Sequence, residues 1–123
     1  MRLLADTHIL LWALMDSPNL TAKHRQLLTD SHNAVFYSAI SIAEIAIKES
    51  VRKLRAPGGI AQYLSEAGFE ELPFTGAHAA QLRELPLHHR DPFDRMLIAQ
   101  AITEQLILVT TDEQFSLYSV NLA

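Results

Sequence analysis

Short apolar runs alternate with helical stretches along this 123-residue chain, and that alternation constrains the fold more than any other feature. Arg2–Ala5 reads as a short strand that stops at Asp6, 34–37 as a β-branched and aromatic strand, and 69–72 and 106–109 as two more. Residues 117–120 are expected to form a last one. Between them, 7–15, 21–29, 41–54, 59–66, 77–85 and 92–105 read as helices. Thr21 is expected to cap the second of these helices. Strands separated by helices imply an α/β fold with a mostly parallel sheet covered on both faces. In such sheets ligands bind beyond the carboxyl ends of the strands, so chemistry is expected just after each strand.

The chain suffices for one core but not two, so residues 1–123 are read as a single domain. Hydrophobic residues make up 49% of it, enough to fill that core. The absence of cysteine removes disulfides and thiolate metal sites and suits a reducing, cytoplasmic setting. A net charge of −4 argues against a protein that coats DNA nonspecifically. It leaves room for an enzyme that groups its acids around a cation. The apolar run 9–15 is too short to span a bilayer. Asp6, His8 and Asp16 break any leader-like pattern, so no membrane segment is expected and Met1 is read as the start of the folded domain.

Four acids stand where chemistry is expected. Asp6 follows the first strand, and Glu44 lies one turn into the helix after the second. Asp94 lies in the first turn of the helix opened by Asp91 and Pro92, and Asp112 follows the 106–109 strand and Thr110-Thr111. Each has an ordinary structural use. Asp6 and Asp112 can cap the helical turns that follow them. Ser41-Ile42-Ala43-Glu44 fits a capping box. Asp91 suits the cap of its helix with Pro92 in the first turn, where the dipole also favours Asp94. Their combination is less ordinary. All four can converge at one edge of the sheet, where carboxylates repel one another and disfavour their charged forms. A hard divalent cation, Mg²⁺ or Mn²⁺, offsets that repulsion. Such a cation activates water and polarises a phosphoryl oxygen, which suits hydrolysis of a phosphodiester.

The stretches that carry these acids resemble the PIN-domain pattern. Residues 4–12 (LADTHILLW), 38–48 (SAISIAEIAIK), 90–101 (RDPFDRMLIAQA) and 108–115 (LVTTDEQF) are similar in order and spacing to the four motifs of VapC-type toxins. The third is the most specific, and together they run from the first strand nearly to the end of the chain. The resemblance implies a PIN-like three-layer α/β/α fold with a central, mostly parallel sheet of four to five strands. It implies that Asp6, Glu44, Asp94 and Asp112 are the catalytic and metal-binding acids. With Mg²⁺ or Mn²⁺ as cofactor, a metal-activated water would cleave RNA in single-stranded or loop regions. It also implies a homodimer, and a cognate antitoxin that blocks the site in a type II toxin–antitoxin pair. Asp91 is an acid beyond the four, read as a helix cap standing behind the metal ligands.

Polar neighbours of the acids are secondary candidates. The hydroxyls of Thr7, Ser38 and Thr111 can hydrogen-bond a carboxylate or a metal-bound water, or cap the local backbone. Lys48 can pair with Glu44 one turn earlier, or it and Arg95 can contact a phosphate. The basic residues Lys48, Arg52, Lys53 and Arg55 can meet RNA backbone or antitoxin acids, or remain a solvated face. The six histidines show no metal spacing with other nitrogen ligands, and surface or partner roles are expected of them. Leu10, Leu11, Trp12 and Leu14 are expected mostly in the core, with part of that helix free for a dimer or antitoxin contact. Two other classes of function stay open. One is a catalytically silent PIN-like module that only binds RNA or protein and needs no metal. The other is a phosphotransfer or aspartate-nucleophile phosphatase domain, which also places Asp after a strand. Such phosphatases carry another Asp two residues on, where this chain has His8.

Overall fold

The computed structural model describes residues 1–52, 54, 56 and 58–123. Strands β1 (Arg2–Ala5), β2 (Ala34–Ser38), β3 (Glu70–Leu72) and β4 (Ile107–Val109) form one sheet in the order β3-β2-β1-β4. Every pairing is parallel. Ala5 lies opposite both Tyr37 and Val109, and Ser38 lies opposite Leu72.

Parallel neighbours need long crossovers, and each crossover here is helical. Helices α1 (Thr7–Leu14) and α2 (Ala22–Thr29) join β1 to β2. Helices α3 (Ala39–Ser50) and α4 (Ile60–Glu66) join β2 to β3. Helices α5 (Gly76–Gln81) and α6 (Pro92–Glu104) join β3 to β4. The first two crossovers step outward from β1, and the third returns to its other side. The winding therefore reverses between β1 and β4, and ligands of open parallel sheets gather at such switch points.

The apolar runs of the strands hide a period of two. Leu3, Ala5, Val35, Tyr37 and Val109 face one core with Ile9, Leu10, Leu28, Ile45 and Leu64. Leu4 and Leu108 face the other with Leu97, Ile98, Ala101, Phe115 and Tyr118. Both faces of the sheet are thus covered, which explains why the strands read as continuous apolar runs. Burying each such Leu or Ile contributes about 1.5–3 kcal/mol.

Several elements depart from the sequence expectation. The helix after β2 begins at Ala39 rather than Ser41, because β2 runs into it without a loop and Ser38 both ends the strand and caps the helix through Ile40 N–H at 3.0 Å. Ser41 therefore lies inside the helix and is buried, and no capping box forms with Glu44. The helix also stops at Ser50 instead of reaching 54. The expected helix 77–85 is α5 followed by a 3₁₀ turn at Leu82–Glu84. The expected strand at 117–120 is absent among the described residues. Phe115 and Tyr118 are both buried, a spacing of three that suits the 3₁₀ turn Glu113–Leu117 and not a strand. The tail touches the sheet through one parallel bridge, Leu108 to Leu122.

Candidate active site

Parallel pairing places the ends of β1, β2 and β4 side by side, and the polar residues that follow them share that edge. Asp6 ends β1. Its backbone N–H donates to the Val109 carbonyl at 3.0 Å, which continues the ladder one step and sets Asp6 opposite Thr110. Its Oδ1 accepts the Ile9 N–H at 2.9 Å, so it caps α1 as expected. Its Oδ2 accepts from the Thr110 hydroxyl at 2.5 Å. The carboxyl is buried, and burial raises its pKa above the ordinary aspartate value, with Thr110 and Ile9 opposing the rise. Thr7, the next residue, shares a buried hydrogen bond of 2.9 Å with the Ser41 hydroxyl, which ties the first turn of α1 to α3.

Glu44 lies on α3 and is 3% exposed. Its Oε2 accepts from Lys48 Nζ at 2.5 Å, the expected pairing across one helical turn. Its Oε1 is buried and has no hydrogen-bond partner among the described residues. A buried carboxylate oxygen without a partner carries an uncompensated desolvation cost. The hydrogen bond to Glu44 raises the Lys48 pKa, and the charges of Asp91 and Asp94 act in the same direction.

Asp91 caps α6, as expected, by accepting the Asp94 N–H at 3.0 Å. Asp94 sits in the first turn of α6, and its carboxyl is raised to about 7. Burial is the main cause, repulsion from Asp91, Glu44 and Asp6 adds to it, and His89 opposes it. Asp112 caps the 3₁₀ turn after β4 through Gln114 N–H at 2.9 Å. The His89 ring stands between these last two acids, with Nε2 at 3.0 Å from Asp94 Oδ2 and 3.2 Å from Asp112 Oδ2. The ligand atoms of His89, Asp94 and Asp112 lie within 4.8 Å of one another. Asp6 and Glu44 are not in that tight group, but they stand close enough for their charges to act on Asp94.

Sequence reasoning missed two residues of this edge. Thr110, not Thr111, reaches Asp6, and Thr111 is exposed. The continued β1–β4 register identifies Thr110 as the residue opposite Asp6. His89 was grouped with surface or partner histidines, yet it enters the acid cluster. His24 and His78 also depart from that expectation, since both are buried. Ser38 donates to Gln100 Oε1 at 2.5 Å, so its hydroxyl ties α6 to the end of β2 instead of facing a metal-bound water. Arg95 is held by the loop before α6, donating to the carbonyls of Pro86 at 3.0 Å and His89 at 3.4 Å and to the Tyr118 hydroxyl at 3.3 Å, rather than extending toward a phosphate. Of the basic run after Lys48, Arg52 is exposed, and Lys53 and Arg55 lie outside the described residues.

The arrangement suits a hard cation. Its donors are carboxylate oxygens, one of them is buried without a partner, and Asp94 is held at an unusually high pKa by burial and by its acidic neighbours. A cleft of about 340 Å³ leads from Glu44 and Lys48 past Leu11 to Trp12 and Met15. A larger cavity of about 530 Å³ opens beside Asn33 and Phe69, at the beginnings of β2 and β3 and away from the acids. No helix among the described residues is long and apolar enough to cross a membrane.

The sequence pattern described as PIN domain matches residues 3–121. No curated protein matches the chain in sequence. Among solved structures, the fold is similar to VapBC2 from Rickettsia felis bound to a DNA fragment from their promoter, with a TM-score of 0.74, 21% identity, and coverage of 100% of this chain and 98% of that one. It is similar to DNA-bound VapBC from Salmonella typhimurium, with a TM-score of 0.72, 17% identity, and coverage of 100% and 97%. It is also similar to Mycobacterium tuberculosis VapC20, a sarcin–ricin loop cleaving toxin, with a TM-score of 0.66, 17% identity, and coverage of 96% and 95%.

Proposed function

The chain belongs to the PIN-domain family, and from that premise we propose that it is a Mg²⁺- or Mn²⁺-dependent endoribonuclease, the toxin of a toxin–antitoxin pair. The observation that carries the reading is the buried Glu44 Oε1, without a partner among the described residues, at an edge that also holds Asp6, Asp94 and Asp112. These four residues would hold the cation. Bound there, it would lower the pKa of a water and polarise the phosphoryl oxygen under attack.

The protein's own side chains prepare that site. Thr110 and the Ile9 N–H fix both oxygens of Asp6. Lys48 occupies one oxygen of Glu44 and so directs the other inward. The Thr7–Ser41 bond holds α1 against α3, and with them Asp6 and Glu44. The Asp91 cap sets the first turn of α6 and thereby Asp94.

RNA is the substrate this reading assigns, supported by the likeness to a toxin that cleaves the sarcin–ricin loop. With a net charge of −4, the chain gains little from general attraction to phosphates and depends on the cation and on local bases such as Lys48. The antitoxin is assigned to the cleft beside Trp12 and Met15, near exposed Ile47 and Val51. A homodimer and a cytoplasmic setting complete the reading. The test is cleavage of a structured RNA by purified protein, with Mn²⁺ and with EDTA. Cleavage is expected only with the metal, and Asp6→Asn and Asp94→Asn are each expected to reduce it to the EDTA level while circular dichroism stays native. Undiminished cleavage by both variants, or cleavage indifferent to EDTA, refutes the proposal.

A further inference from the structure

His89 is held from several sides. Its backbone N–H donates to the Tyr118 hydroxyl at 2.7 Å, and its carbonyl accepts from Arg95 Nη1 at 3.4 Å. Its ring lies 5.8 Å, centroid to centroid, from that of the fully buried Phe115. Its Nδ1 accepts the backbone N–H of Asp91 at 3.2 Å. A backbone N–H can only donate, so Nδ1 is the acceptor nitrogen and the neutral ring carries its proton on Nε2. That nitrogen faces Asp94 Oδ2 at 3.0 Å and Asp112 Oδ2 at 3.2 Å. The ring therefore donates to Asp112 and stands in contact with Asp94. It does not present the free lone pair that a metal ligand needs.

We propose that His89 is a positioning residue that holds Asp112 through its Nε2–H and fills the gap beside Asp94 where a second cation would sit, so that the site takes a single divalent cation. This rests on the nuclease reading above. A cation bridging the same two oxygens would have to displace a ring that the Asp91 N–H, Phe115, Tyr118 and Arg95 anchor together. The other oxygens of Asp94 and Asp112, the Glu44 Oε1 that has no partner among the described residues, and Asp6 make no bond to the ring and are left for the one cation. The anchoring also gives Arg95 its use. Four contacts fasten it to Leu85, Pro86, His89 and Tyr118, and so it holds the loop that carries the imidazole.

Titration of Mn²⁺ into the full-length protein, read by the paramagnetic resonance of the unbound ion, counts the bound cations. One Mn²⁺ per chain is expected for the wild type and for His89→Gln, whose amide N–H reaches the same point. Two are expected for His89→Leu, which frees Asp112 and leaves no nitrogen between it and Asp94. Nitrogen NMR of the metal-free wild type should show the proton of the neutral ring on Nε2, and pulsed resonance of its bound Mn²⁺ should show no coupling to a histidine nitrogen. A proton on Nδ1, a histidine coupling that His89→Leu removes, or any other set of counts in proteins that bind Mn²⁺ overturns the inference. A wild type that binds no Mn²⁺ at all overturns the nuclease reading, and the ring nitrogens then still decide whether the clamp exists.

Discussion

Asp94 shows how a single side chain reports its surroundings. Its carboxyl is raised to about 7, against an ordinary value of 3.8, mainly by burial and then by Asp91. A carboxyl raised on folding binds its proton more tightly in the native state than in the unfolded one. Its stabilising contribution is complete below about pH 4, shrinks as pH rises, and is gone above about pH 7, where the charge becomes a cost to the fold. Asn at this position is neutral at every pH. Asp94→Asn is therefore expected to melt higher than the wild type in metal-free buffer at pH 8, by several degrees, given that about 1 kcal/mol moves the midpoint of a domain of this size by about 4 °C. The gap should narrow at pH 5. Equal midpoints at pH 8, or a gap that widens on acidification, would show that Asp94 ionises normally. The same scale shows what motifs can and cannot disclose. The four acids were legible because each sits in a recognisable stretch of sequence. Thr110 and His89 were not, because their roles depend on partners 104 and 23 residues away, Asp6 and Asp112.

At the scale of elements, helix ends decide where side chains point. Ser38 ends β2 and caps α3 in one step, so the helix starts earlier than its apolar spacing suggested and Glu44 lies deeper in it. Helix α6 ends with Gln105 in the left-handed region, at φ 55°, and the Leu106 N–H closes the end on the Ala101 carbonyl at 2.9 Å. A residue with a Cβ is strained there by roughly 1–2 kcal/mol. Glycine relieves that strain but loses about 0.5–1 kcal/mol more backbone entropy on folding. Gln105→Gly is therefore expected to raise stability by roughly 0.5–1 kcal/mol, read as a higher urea midpoint at unchanged slope. A lower midpoint would mean that the Gln105 side chain makes a contact worth more than the strain.

The whole molecule brings the acids together from four separate segments, and the unfolded chain has no such site. A cation that binds only the folded form stabilises it by mass action, by about 2.7 kcal/mol at a hundred times its dissociation constant. Millimolar Mn²⁺ should accordingly raise the melting temperature at pH 8 by several degrees, EDTA should reverse the gain, and Asp94→Asn should show a smaller shift. An unchanged melting temperature across the titration would count against any cation at this edge. Under the proposed function, the cost of grouping these carboxyls is stability given up for a site that would receive the ion.

The order of strands and helices, the two-faced sheet and the stretches bearing Asp6, Glu44, Asp94 and Asp112 were determined by the sequence itself, because hydrophobic period and local capping act over a few residues. Tertiary structure alone decided that Thr110 serves Asp6, that Ser38 and Arg95 act as braces, that residues 117–120 form no strand, and that His89 stands between two acids. Those outcomes depend on strand register and on packing between distant segments, and neither leaves a periodic trace along the chain.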